Sequence, residues 1–216
     1  MLKLAIVTGS KSFHVPEFQH LFEQLEGIKA YIQHIDDFAS SAEDVRAYYD
    51  AILFYFMMRD NPKDNGAGFQ GKPKAVLEQL GTNSQGIILL HHALLAYPDW
   101  SYWQELVGIE DRTLHHYKHD VEMTIKVVNP NHPITRGINN WKMTDETYDM
   151  QEPGAAVEAL LELDLPQSMH TIAWAHTFKQ SRVFCLQPGH DAKAWQNVSF
   201  QRVLTRGIRW TCNVIS

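Results

Sequence analysis

Two histidines end an apolar run in "GIILLHHALLAYPDW", Gly86 to Trp100. Imidazole changes charge near neutral pH, so His91 and His92 are candidates for general acid–base work or metal ligation. The run reads as a buried strand, and adjacent strand residues face opposite sides. One of the pair, His91, is therefore expected in a cleft and His92 on the other face. A strand-end histidine bonded to a backbone carbonyl is the competing reading. A second apolar run, "SRVFCLQPGHD", delivers His190 just after Gly189, which permits positive φ or close backbone approach. "TDETYDM" adds carboxylates. On a strand, Asp145, Thr147 and Asp149 share one face, and Glu146 and Tyr148 share the other. An acid beside a phenol could bind sugar hydroxyls, although an edge strand charged against aggregation explains the same residues.

Other histidines carry weaker signals. His14 in "SKSFH" precedes Pro16 at a helix start and alone reads as a solvated loop residue. In "TLHHYKHD", His115 and His119 would share a helical face at chelating spacing. The glutamate of an HExxH zinc motif is absent there, since His116 follows His115, so a flexible polar loop is expected. His132, before Pro133 in "NPNHPITRG", belongs to a stiff connection.

The elements that must position these residues alternate. "LKLAIVTGS", "IKAYIQHID", "YDAILFYFM" and "QGIILLHHA" read as strands. "PEFQHLFEQLEG", "SAEDVRAYY" (Ser41 as cap), "KPKAVLEQLG" and "PDWSYWQELVG" read as helices between and after them. "NPKDNGAGFQGK" reads as a functional loop. Alternation calls for a parallel sheet covered on both faces, with ligands at the carboxyl ends of its strands. From "VEMTIKVV" to "SRVFCLQPG" the second half reads as successive strands, and "WQNVSFQRVLTRGIRWTC" as a final helix. No linker divides the chain, so residues 1–216 are expected to form a single α/β domain.

With 19 Lys+Arg against 25 Asp+Glu and no basic run, a nucleic-acid partner is not expected. No apolar run reaches the roughly 20 residues that span a bilayer. The start "MLKLAIVTGS" is strand-like rather than a signal peptide. Cys185 and Cys212 form no CxxC pattern and read as free thiols, so the cytoplasm is expected. The 11% aromatic content permits subunit contacts in a homo-oligomer.

In their order, "GIILLHHA", "HPITRGI", "DETY", "SRVFCLQPGH" and "RGIRW" resemble the trehalose-utilisation family, the ThuA-like proteins. The resemblance spans nearly the whole chain, departing at "KQSR", where glycines are commoner in the family. It implies a fold like class I glutamine amidotransferases: a flavodoxin-like three-layer sandwich, mainly parallel sheet, strand-rich second half. The superfamily's nucleophilic cysteine would fall within "LLHHA", which has none, so thiol amidotransfer is not expected. The implied partner is a small-molecule carbohydrate, a disaccharide or keto-sugar. Matching positions imply His91, Glu146 and His190 as catalytic residues, with His14, Tyr148 and Trp174 binding substrate. Trp100, Trp174 or Trp195 would offer a sugar ring an apolar face. A divalent metal such as zinc, on His91, His190 and a carboxylate, is a variant of that expectation. A non-catalytic carbohydrate-binding or regulatory module on a degenerate amidotransferase fold is the alternative.

Overall fold

The structure is a computed structural model that describes residues 1–64 and 72–216. Most of the expected functional loop, from Asn65 to Gly71, lies outside the described residues.

Four strands are apolar runs buried on both faces, as a covered parallel sheet requires: β1 (Leu2–Gly9), β3 (Ala51–Phe56), β4 (Gly86–Leu90) and β9 (Ser181–Leu186). With β2 (Ile28–His34), β5 (His116–Val127), β6 (Trp141–Asp149), β7 (Glu158–Glu162) and β8 (Thr171–Phe178), they form one sheet. Its order is β2-β1-β3-β4-β9-β8-β7-β5-β6. Every pair from β2 to β9 is parallel, and every pair from β9 to β6 is antiparallel.

Alternation along β3 reveals the layers. Tyr55 packs against Phe18 of α1 (Val15–Glu23) and Trp195 of α6 (Ala192–Trp195). Phe54 and Phe56, pointing the other way, pack against Trp103 of α5 (Ser101–Val107). Helices α2 (Ile35–Ser40) and α4 (Pro73–Leu77) contact each other, with α3 (Glu43–Ala47) between them in sequence. The long α7 (Val198–Thr211) packs on β4 and β9. The expected flavodoxin-like sandwich is present. None of the described helices is long and apolar enough to cross a membrane.

Local expectations change in three places. "HHYKHD" is not a loop: it begins β5, which pairs with β6 along its length. Its first residues are exposed on both faces, and that erases the alternation by which a half-buried strand is recognised. The final helix begins at Val198 rather than Trp195, because Asn197 caps it there by accepting from Ser199 N and Phe200 N, and Asp191 caps a separate turn, Ala192–Trp195, just before it. Ser41 does not cap α3. Its hydroxyl donates to Asp37 O and closes α2 instead.

Candidate functional site

Strand β4 stops at Leu90 because His91 adopts φ +52°, the left-handed region that bulky residues avoid. Such a conformation costs about 1–3 kcal/mol and persists where surrounding packing holds it. The surroundings here are the fully buried 3-10 turn His91–Leu95. Past that turn, alternation no longer decides where side chains point. The expectation that His92 faces away is thereby corrected: its ring lies 4.1 Å from that of His91 and 5.5 Å from that of His190.

Strand β9 delivers His190 through Gly189, at φ +129°. Only glycine suits this turn, since an added Cβ would also meet Leu90 at 3.0 Å. Asp145, buried on β6, fixes it by accepting from Gly189 N at 2.6 Å and His190 N at 3.1 Å. Tyr55 donates its hydroxyl to His190 O at 3.0 Å, and Trp195 Nε1 donates to Gly189 O at 2.9 Å.

On the other face of β6, Glu146 and Tyr148 point together, as alternation predicts. Glu146 Oε2 lies 2.9 Å from His91 Nε2 and 3.1 Å from His190 Nδ1. Its Oε1 lies 3.1 Å from His119 Nδ1. The Tyr148 hydroxyl is 2.8 Å from His91 Nε2. His119 arrives through a β-bulge: Lys118 pairs with Thr147 and Val121 with Asp145, so two residues oppose Glu146 alone. Asp120 takes φ +57° within that bulge. Bulges re-aim side chains, and this one turns His119 onto the carboxylate.

Proton positions follow from partners. His91 Nδ1 is 2.5 Å from Gln187 O, which can only accept, so Nδ1 carries the proton and the Nε2 of a neutral ring is a bare lone pair. Burial raises the pKa of the Glu146 carboxyl, but the hydrogen bond with His190 and the neighbouring His91 imidazole outweigh it and hold the group well below the carboxylate range. The bond to Glu146 raises His190, against its partial burial. Burial lowers His92, reinforced by neighbouring His91, and leaves it neutral. Burial raises the Tyr148 phenol well above its ordinary value. The cluster opens outward through His190 and His119, whose side chains are 22% and 50% exposed.

His91, Glu146, His190 and Tyr148 thus converge, and two expected members stand elsewhere. Trp174 is fully buried with its indole N–H on Val107 O, so its ring has no face to offer a ligand. His14 is exposed and caps α1 through Glu17 N, with no described contact to the cluster. Trp195 is buried beneath Gly189. Sequence reasoning missed His119, Asp145 and Gln187 as members of the site. A cleft of about 310 Å³ lies around Ile52, Ile87 and Gly81, toward the opposite ends of the strands, and carries no imidazole. His91, His92, Glu146 and His190 each place a donor atom within 4.8 Å of the other three, which makes them the metal-capable set among the described residues.

The sequence profile of a family described as ThuA, trehalose utilisation, matches residues 6–211. No curated protein matches the chain. A protein from Bacteroides uniformis described as ThuA-like superposes with TM-score 0.75 at 17% identity, over 97% of this chain and 91% of that one. Another, from Parabacteroides merdae, gives TM-score 0.71 at 16% identity, over 98% and 90%. PurLQS from Thermotoga maritima gives 0.59 at 14% identity, over 97% and 99%. At such identities the superpositions speak for the fold alone.

Proposed function

The chain belongs to the trehalose-utilisation, ThuA, family, and from that premise we propose that it acts on a disaccharide or keto-sugar by His/Glu acid–base chemistry. The observation that carries this reading is one buried carboxylate, Glu146, held between His91 and His190 at the carboxyl ends of β4 and β9. That is the edge where open parallel sheets bind ligands. Glu146 stays ionised and is the partner carboxylate that holds the proton on His190. His190, raised toward the protonated form and partly exposed, donates one to a sugar oxygen. Tyr148 and Gln187 O hold the His91 ring in place. Thiol chemistry finds no support, because Cys185 is sealed in β9 and burial pushes the Cys212 thiol up to about 12. Both cysteines are free, which supports a reducing compartment such as the cytoplasm.

The test is turnover of unmodified and oxidised disaccharides by the full chain. Glu146→Gln should lower the rate about 10²–10⁴-fold while the protein stays folded. Tight sugar binding with no product, unaffected by Glu146→Gln, would overturn the reading in favour of a binding module.

A further inference from the structure

We infer that the histidine–carboxylate cluster is a divalent-cation centre of the zinc class, held by His91 Nε2, His190 Nδ1 and a Glu146 oxygen, with His92 supplying a fourth donor. The inference rests on the reading of this cluster as the working site, but not on the identity of the substrate.

Geometry comes first. The three atoms form a near-equilateral triangle: 2.9 Å from His91 Nε2 to Glu146 Oε2, 3.1 Å from there to His190 Nδ1, and 3.2 Å between the two nitrogens. Zinc binds nitrogen and oxygen at about 2.0–2.2 Å, which sets tetrahedral ligands about 3.3 Å apart. A cation at that distance rests on this triangle and touches all three atoms.

Hydrogen bonding around the residues turns the three atoms toward one another. His91 Nδ1 faces Gln187 O at 2.5 Å, which turns Nε2 toward the Glu146 oxygen at 2.9 Å. The Tyr148 hydroxyl, 2.8 Å from Nε2, holds the same nitrogen in place. His92 supplies an independent sign. It is 2% exposed, one of its ring nitrogens is within 4.8 Å of the other donors, and its buried Nδ1 has no hydrogen-bond partner. Buried polar atoms are rarely left so, and a buried imidazole without a partner beside three donors points to a missing ligand.

The donors also select the ion. Imidazole nitrogens with one carboxylate suit zinc, cobalt(II) and iron(II), whereas calcium and magnesium take oxygen sets. Among the described residues, every ion-pair partner of Glu146 is a histidine, so no Arg or Lys competes for its charge. Support around the ligands is built in: Gln187 O orients His91, and Asp145 pins the backbone of Glu146 and His190. His119, half exposed beside Oε1, marks the side left open to a ligand. There the ion would polarise a carbonyl or hydroxyl oxygen of the bound sugar as a Lewis acid.

The full chain, freed of metal by chelator dialysis, is titrated separately with zinc(II) and cobalt(II), by calorimetry and by the visible cobalt spectrum. One equivalent per chain is expected, with cobalt bands of low coordination number. Glu146→Gln and His190→Ala, each confirmed folded by circular dichroism, should weaken uptake more than about 100-fold, since supporting residues alone are worth 10–100-fold. His20→Ala, an exposed imidazole on α1, should leave it unchanged. Absence of stoichiometric uptake, or equal affinity in the Glu146 and His190 variants, overturns the centre. Sugar turnover at the same rate before and after chelation overturns it too and leaves the carbohydrate reading standing. One equivalent bound through these residues with no sugar turned over does the reverse.

Discussion

Glu146 is surrounded by three imidazoles, and its bond to His190 raises that ring's pKa. His190 has a folded pKa above its ordinary 6.5, so its share of stability is present below pH 6.5 and lost as pH rises through the folded value. Glu146 has a folded pKa below its ordinary 4.5, so its share is present above pH 4.5 and lost as pH falls through the folded value. The metal-free cluster therefore stabilises the fold most between pH 4.5 and 6.5. Glu146→Gln should move the His190 titration downward toward 6.5, read from its ring proton by NMR. An unmoved titration would mean that another group holds the proton. At this scale the sequence was legible where alternation applied: Glu146 and Tyr148 share a face because β6 is regular there. It failed for His92, because a φ of +52° at His91 ends the strand one residue before alternation could be used. It failed for Trp174 because an apolar ring in a buried strand and one lining a cleft are the same letters.

Among the elements, the bulge in β5 does most to complete the site. Asp120 holds φ +57°, where glycine is at ease and a β-branched residue is not. Asp120→Gly should keep stability within about 0.5 kcal/mol, whereas Asp120→Val should lose about 1–2 kcal/mol in urea unfolding. Equal losses would show that the exposed ion pair with Lys193, rather than backbone conformation, sustains the bulge. The fully buried strands β1, β3, β4 and β9 were readable as unbroken apolar runs. The start of β5 was not, because a ribbon wetted on both sides has no apolar face to announce it. His119 was hidden with it, and two-against-one pairing at a bulge leaves no mark in composition.

Across the molecule, the sheet divides into a parallel and an antiparallel half that meet at β9. Helix α7 covers that meeting line, and Gly207 lets it approach: a Cβ there would lie 2.2 Å from the Phe184 ring. Gly207→Ala should cost about 1–3 kcal/mol by overpacking, seen as a lower thermal midpoint, with Glu146 and His190 still in place. An unchanged midpoint would mean that α7 slides freely on the sheet. The wound arrangement of the first half was legible because alternating strands and helices admit few topologies. The placement of β9 between β4 and β8 was not, since pairing across such sequence distance leaves no local trace.

The position of β9 also sets an order in time. Among the described strands it is the last in sequence, yet it lies between β4 and β8, which precede it. Until Ser181–Leu186 arrives, β4 has an open edge and His91 lacks the carbonyl of Gln187 that fixes its tautomer. The imidazole pair and the carboxylate thus meet only in a chain that has closed its sheet.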